Sequence, residues 1–461
     1  MDDILEKYYN KRNLTDVFEK RLKNKSGKGI DGVDSILFYK NIESNCDNLI
    51  KKIASNNYRY TPYLEILKSK GRGREPRVIS KPALRDKLVL SVLKDILHNT
   101  FPNSVSKKLP NVIIRDIVKT ISKNEDKEVY FLKIDIKTFF DSICRDLLLN
   151  NIKTKVSSDS LFLLLRRAIY NKTVPIDYRK KDSSKYRREK GVPQGLAISN
   201  VLSSIYLMNF DDFFYDKGIY YVRYVDDILI ISEKNDIDYL HGEVDRLMGE
   251  LSLETHSDEK IDKGKITNSF DFLGYCIEYP KVKVRKATEE RFIASLAALF
   301  TDMKHNAIWR EKNSNGLTMD QLKTAFIFKL NEKITGAISD DKRYGWVFYF
   351  LEINDFSLLY KIDFIIRDLF KRLKVFDFTP PSELKSLVKS YFEAKNSPYS
   401  GYIHNYNIYN TNEEKLSYLI KMGYIVEKSN KSYTPEQIDK LFNQVKGKSL
   451  VNLEADLGSM S

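Results

Sequence analysis

The stretch from Tyr220 to Ser232, Y-Y-V-R-Y-V-D-D-I-L-I-I-S, sets two adjacent carboxylates between two apolar runs rich in β-branched residues. Runs of that kind predict two strands, and Tyr224-Val225-Asp226-Asp227 predicts the turn that joins them as a hairpin. Like charges beside aliphatic strands are costly to desolvate unless cations or solvent reach them. Two readings follow: an exposed acidic turn, or a pair of hard oxygen ligands holding Mg²⁺ for phosphoryl transfer.

The surrounding blocks bear on that choice. Glu128 to Asp135 is apolar and predicts a strand that runs into Ile134-Asp135-Ile136-Lys137-Thr138-Phe139-Phe140-Asp141-Ser142. A carboxylate at the end of a buried strand is the third ligand that a two-metal site needs. Asp141 is expected instead to be the N-cap of a helix from Ser142 to Asn150. Upstream, Thr61 to Lys68 predicts an extended segment, followed by Gly71 and Gly73 among Lys70, Arg72, Arg74 and Arg77. That makes a cationic hairpin tip able to close over a triphosphate, or equally a solvated basic turn. Downstream, Asp177 to Lys190 carries seven basic residues and two tyrosines. It is either a template or primer contact or a solvated loop. Gly191-Val192-Pro193-Gln194-Gly195 follows; its glycines let backbone approach a ligand, and Gln194 offers amide donors and an acceptor.

With 461 residues, the chain is long enough for three or four substructures of roughly 100 to 150 residues. A net charge of +14, with 29 tyrosines and 25 phenylalanines, favours a polyanion whose bases can stack, ahead of a merely solubilising Lys-rich surface. No apolar run is long enough to span a bilayer, so no membrane partner is expected. The acidic start at Met1-Asp2-Asp3 and the three isolated cysteines, Cys46, Cys144 and Cys276, predict a cytoplasmic protein with reduced thiols. Helices are expected over 1–28, 35–55, 201–210 and 236–251. Another, from Lys81 to His98, is expected to be amphipathic, with Leu84, Leu88, Val92 and Leu93 on one side. Phe376 to Pro381 predicts a linker, because paired prolines stop a helix. The last dozen residues are expected to be disordered.

Taken in order, these blocks resemble a bacterial reverse transcriptase of the retron and group II intron lineage. The match lies in Ile134-Asp135-Ile136-Lys137-x-Phe139-Phe140-Asp141, Gly191-x-Pro193-Gln194-Gly195 and Tyr224-x-Asp226-Asp227. The resemblance implies an α+β, right-hand polymerase fold with fingers, an antiparallel-sheet palm, a helical thumb and a small C-terminal domain. The expected boundaries are a 1–28 N-terminal helical extension, fingers and palm over 29–280, thumb over 281–376 and a C-terminal domain over 382–461. It implies Asp135, Asp226 and Asp227 as catalytic and metal-binding, with Ile136 beside them at the metals, and Lys260 as the lysine assisting pyrophosphate departure. Two Mg²⁺ are implied, with Mn²⁺ as a possible substitute. Phe140 is implied as the sugar gate, and Gln194 and Gly195 at the incoming nucleotide. Lys70 and Arg77 are implied on its triphosphate. Tyr224, Arg187, Arg188 and the segment Phe272, Leu273, Gly274, Tyr275, similar to a primer grip, are expected to meet primer and template.

Leu196-Ala197-Ile198-Ser199-Asn200 stands where introns and retrons usually carry Ser-Pro. Together with Ile334-Thr335-Gly336 and Tyr344-Gly345-Trp346, it resembles phage-defence reverse transcriptases of the abortive-infection type. The partners so implied are dNTPs, a DNA product and an RNA template, a dedicated noncoding RNA; an oligomer is compatible with this. Three other activities stay open at this point. One is protein-primed or untemplated DNA synthesis using a tyrosine such as Tyr399, Tyr402, Tyr406 or Tyr409. Another is RNA-copying RNA synthesis, which Phe140 disfavours. The last is RNA holding by a silent polymerase fold.

Overall fold

A computed structural model describes residues 3–23, 27–69, 73, 75–105, 108–124, 127–256, 262–313, 316–426 and 432–457. The chain divides into two compact units, one of Met1–Lys108 with Asp126–Ile266 and the other of Leu109–Glu125 with Thr267–Met460.

The first unit opens with helices α1 (Asp3–Tyr8), α2 (Lys11–Arg21), α3 (Ser35–Lys40) and α4 (Ile42–Ala54). A hairpin of β1 (Tyr63–Lys68) and β2 (Arg77–Lys81) follows, then α5 (Leu84–Thr100). Helix α6 (Pro110–Lys123) belongs to the second unit. Next come β3 (Val129–Asp135), α7 (Phe139–Ser142), α8 (Arg145–Lys153), α9 (Asp159–Tyr170), β4 (Thr173–Val174), α10 (Ser199–Tyr206) and α11 (Met208–Tyr215). The unit closes with β5 (Tyr220–Tyr224), β6 (Asp227–Glu233), α12 (Lys234–Glu250) and β7 (Asp262–Lys265).

Its main sheet is antiparallel, in the order β5-β6-β3-β7. Phe131, Leu132 and Ile134 of β3 and Ile228 to Ile231 of β6 are all buried, which is why these strands read as apolar runs rather than alternations. Helix α5 has the expected apolar side but buries a wider arc, with Leu88, Val89, Leu90, Val92, Leu93, Ile96 and Leu97 buried and Lys87, Lys94 and His98 partly exposed on the remaining side. Its polar positions disguise this in the sequence. Asp86 is fully buried and accepts hydrogen bonds from the Tyr58 hydroxyl and the Thr61 amide. The N-terminal helices help cover α5: Tyr9 donates to the Val89 carbonyl at 2.9 Å, and Arg21 pairs with Asp95. Residues 3–23 are therefore part of this core rather than an extension of it.

The second unit carries the meander β8 (Phe270–Phe272), β9 (Tyr275–Glu278) and β10 (Lys281–Val284), then long helices α13 (Lys286–Asn313) and α14 (Met319–Thr335). A hairpin of β11 (Ala337–Ser339) and β12 (Lys342–Tyr344) leads to α15 (Trp346–Tyr349) and α16 (Ser357–Phe370). Beyond lie α17 (Leu387–Asn396), β13 (His404–Asn405), α18 (Asn412–Lys421) and α19 (Pro435–Ala455).

The prolines at 380 and 381 do not separate a domain. Asp363 of α16 accepts from the Leu387 and Val388 amides at 2.6 and 3.2 Å, capping α17. Strand β13 pairs in parallel with β11, and Phe376 packs on Phe326 and Phe370. Helix α19 runs to Ala455 and buries Leu450 and Leu453, so the expected disorder of the last dozen residues is not found up to 457; residues 458–461 lie outside the described residues. Of the four tail tyrosines, Tyr399 is exposed, whereas Tyr406 is buried and donates to the equally buried Glu332 at 2.6 Å. Among the described residues, no helix is long and apolar enough to cross a membrane. A four-stranded antiparallel sheet backed by helices, with the separate sheet of β2, β1 and β4 in the same unit, is the arrangement expected of a polymerase palm and fingers.

Candidate active site

The register of the palm sheet brings the acids together. Asp135 ends β3 directly opposite Asp227 at the start of β6, and Asp226 occupies the turn between Tyr224 and Asp227. The Ile136 amide donates to the Asp226 carbonyl at 3.3 Å, which ties the two chain segments by backbone. Val225 in this turn has φ of +61°, a left-handed value that a β-branched residue adopts only under constraint. The constraint comes from Arg223, whose guanidinium is buried beneath the turn. It donates to the Val225 carbonyl at 2.8 Å and, through Nε, to Asp211 at 2.7 Å. Tyr221 adds a third donor to the same Asp211 carboxylate at 2.6 Å.

Asp226 is held in an unfavourable state. Its Oδ1 is buried with no hydrogen-bond partner. Burial first, and the like charge of Asp135 second, push its carboxyl up to about 6, with Arg77 and Arg223 opposing. A bare carboxylate oxygen beside a second carboxylate fits a hard divalent cation. Among the described residues, no three acidic, histidine or cysteine side chains form a ready-made cage. His256 is a neighbour that sequence reasoning missed: its amide donates to the Asp135 carbonyl at 3.2 Å, and its Nε2 lies 3.4 Å from Asp135 Oδ2.

The glycine loop packs on α7. The Gly191 amide donates to the Ile143 carbonyl and the Val192 amide to the Phe140 carbonyl, both at 2.8 Å. Phe140 is half-buried in α7 beside Phe139. Asp141 is not the N-cap that the sequence predicts. Thr138 caps α7 and Cys144 caps α8, and the Asp141 carboxylate is free to accept from Gln194 Nε2 at 2.9 Å and Arg188 Nη1 at 3.2 Å. Gln194 is held at its backbone too, where its carbonyl accepts from the Ser80 amide of β2 at 2.7 Å. Gly195 makes that approach possible: a Cβ there would lie 2.7 Å from the Ile79 methyl, and its φ is +94°. Arg145 closes the network by donating to the Gly191 and Arg188 carbonyls at 2.7 and 2.6 Å.

Other expected site residues fall variously. Arg77 begins β2 and is close enough to Asp226 to oppose its upward shift. Tyr224 pairs with Asp227 across the hairpin, and Arg187 is exposed after the short helix at Lys180–Tyr186. Lys70 and Lys260 lie outside the described residues. Phe272, Leu273, Gly274 and Tyr275 are all buried in the second unit, where Tyr275 donates to the Tyr349 carbonyl and Tyr349 to that of Leu273. Their side chains thus pack inside the second unit, not on an exposed surface.

Known proteins similar to this chain point to one family. The family model for reverse transcriptase (RNA-dependent DNA polymerase) matches residues 66–277. The 91 kDa protein in cob intron of Schizosaccharomyces pombe is 30% identical over 172 residues, 36% of this chain and 20% of that protein. Protein YkfC of Escherichia coli is 22% identical over 325 residues, 59% of this chain and 83% of that protein. The retron Ec83 reverse transcriptase of Escherichia coli is 25% identical over 166 residues, covering 35% of this chain and 50% of that enzyme. The chain thus spans a fifth of the first of these relatives and half of the third.

The raised Asp226 carboxyl makes a prediction for metal-free protein. The folded form keeps this proton up to about pH 6, whereas the unfolded chain releases it near the ordinary aspartate value of about 4. Stability contributed by this group therefore falls as pH rises through that window. With divalent cations chelated, Asp226→Asn should exceed the natural chain by about 1–2 kcal/mol at pH 7.5, and by little at pH 4. Urea unfolding at both pH values checks it, and a pH-independent difference would count against the carboxylate as the cause.

Proposed function

We propose that this chain, which carries a reverse transcriptase domain over residues 66–277, synthesises DNA from dNTPs on an RNA template. The observation that supports this reading most is the meeting of Asp135 and Asp227 in register, with the unpartnered Asp226 oxygen beside them. Asp135, Asp226 and Asp227, with the adjoining Ile136 backbone, would hold two Mg²⁺ or Mn²⁺, and the bound ions would supply charge neutralisation and an acidified primer hydroxyl.

The chain's own residues do the rest. Arg77 and Lys70 bind the triphosphate, because guanidinium forks and an ammonium match phosphate oxygens. Gln194 and Gly195 form the floor for the incoming nucleotide. The Phe140 ring lies against the sugar and excludes a 2′-hydroxyl. Arg187, Arg188 and Tyr224 meet the primer and template, and Lys260 assists the departure of pyrophosphate.

A dedicated noncoding RNA as template, and a role in defence against phage, rest on the Leu196 to Asn200 block and the Gly336 and Tyr344 to Trp346 pattern. The similarity to a retron enzyme is in keeping with them. Sequencing the nucleic acid that copurifies from the native host tests both. A genomic-background mixture would remove the dedicated template.

Primer extension on an RNA template with Mg²⁺ tests the activity itself. Asp135→Asn and Asp226→Asn should each lower it by more than about 1000-fold, as for other lost electrostatic stabilisers. Extension that survives either change would end the reading. Phe140→Ala should lower discrimination between dNTP and rNTP by about 10–100-fold, the range of a steric pocket; unchanged exclusion of rNTPs would remove the gate from Phe140.

Asp141 positions Gln194 and Arg188 without reaching the reacting atoms. Asp141→Ala should raise the KM for dNTP by about tenfold, the worth of a charge-assisted hydrogen bond, with a smaller change in kcat. Asp141→Asn, which still accepts from Gln194, should recover much of it. Single-nucleotide incorporation kinetics separate the two constants, and an equal fall in kcat for both variants would assign Asp141 a different role.

A further inference from the structure

Helix α16 turns an unusual face to solvent. Its inner side is ordinary, with Leu359, Ile362, Ile366, Leu369 and Phe370 buried. Its outer side exposes Tyr360 at 63% and Phe364 at 69% of their surface. Residues at i, i+4, i+7 and i+11 form one stripe along a helix, so Tyr360, Phe364, Arg367 and Lys371 align on that side. The four are exposed together over about 16 Å of helix.

The neighbouring elements hold this face outward. Asp363 is committed to the α17 N-terminus, and Lys361 to Glu289 of α13 at 2.7 Å. Both fix the rotation of α16 about its axis, leaving the aromatic rings no route into the core. An exposed phenyl and phenol in line mark a surface that meets a partner. The chemistry of the stripe says which kind. A protein-docking face is depleted in charge at its centre, whereas here two rings are continued by two cations. Rings that take a base on their π-face, next to cations that take the phosphates, are what a single strand requires. The net charge of +14 points the same way.

We propose that the Tyr360–Phe364–Arg367–Lys371 face of α16 binds single-stranded nucleic acid, stacking bases on the two rings and holding the backbone with the two cations. It rests on the reading of the protein as one that handles nucleic acid, and it adds a binding surface in the second unit to the acidic site of the first.

The test uses the full chain and fluorescence anisotropy with 20-nucleotide single strands, one RNA and one DNA, and a blunt duplex of the same length. Tyr360→Ala with Phe364→Ala should weaken single-strand binding about tenfold or more, the effect of losing base stacking, and leave duplex binding within about twofold. Tyr360→Leu with Phe364→Leu, which keeps apolar surface without π-faces, should weaken it similarly. Arg367→Glu with Lys371→Glu should weaken it and flatten its salt dependence. A preference for the RNA or the DNA strand identifies template or product as the occupant.

Unchanged single-strand affinity in the double alanine variant overturns the proposal. The same result with a changed mass by light scattering would assign the face to contacts between copies. Primer extension by the unaltered chain separates the two readings: extension with unaffected strand binding removes only the α16 surface, whereas absent extension removes the polymerase reading.

Discussion

The guanidinium of Arg223 lies under the palm hairpin with three demands on it: the Asp211 carboxylate on one edge, the Val225 carbonyl on another, and an apolar surround that permits no water to substitute. A buried charge pair of this kind adds little net stability, because desolvation offsets most of its attraction. Its effect is geometric. It holds Val225 at a positive φ and so fixes where the turn places Asp226. The strand register and the Ile136–Asp226 backbone bond bring the two segments together, and the Arg223 anchor adds the turn geometry that sets the Asp226 carboxylate beside Asp135, although the two repel and Asp226 Oδ1 has no donor. The folded state stores an electrostatic conflict at the site and meets its cost in the hydrophobic strands behind it. That is the pattern expected where a carboxylate pair awaits a cation.

A second constraint links the fingers to the palm within the same unit. Gln194 is gripped by Asp141 through its side chain and by the Ser80 amide through its carbonyl, so a shift of β2 is transmitted to the glycine loop and from there to α7. Phe140 sits on α7 and lends its own carbonyl to Val192. Phe140, Gln194 and β2 are therefore joined by one continuous set of hydrogen bonds. Arg77, at the start of β2, adds a charge near enough to Asp226 to oppose its upward shift.

The legible parts of the sequence were those in which one local pattern decides the outcome. The β5–β6 hairpin and β3 announced themselves as apolar runs ending in acids, and the strand register then had little choice but to align Asp135 with Asp227. Asp141 was misread because its partners, Arg188 and Gln194, lie about fifty residues on, while a cap is a local and commoner use of aspartate. Helix α5 buries a wider arc than its apolar positions suggested, because Asp86 enters the core, where it accepts from Tyr58 and Thr61. Phe272 and Tyr275 carried a resemblance to a surface contact, and their side chains turn inward. Arg223 left one signal, a cation amid a strand of buried residues, which is rare unless an acid waits for it.

The division expected at the double proline fails for a reason that also explains two motifs. Gly336 ends α14 at a φ of +69° and lies against the Tyr344 carbonyl, where any Cβ would collide. Gly345 faces it from the other strand of the β11–β12 hairpin. Trp346 then turns inward and stacks on Phe292 of α13 at 4.7 Å. Ile334-Thr335-Gly336 and Tyr344-Gly345-Trp346 are thus two halves of one close-packed corner that staples α14 to α13. Strand β13 completes it by pairing with Ala337 and Ile338, which places residues from beyond the prolines inside the corner. A segment needed to finish the sheet of its neighbour cannot fold as a domain of its own, because the edge it covers would otherwise leave backbone donors and acceptors unpaired. The pattern that served as a family mark in the sequence is, physically, the joint that binds the described residues beyond the prolines into the second unit.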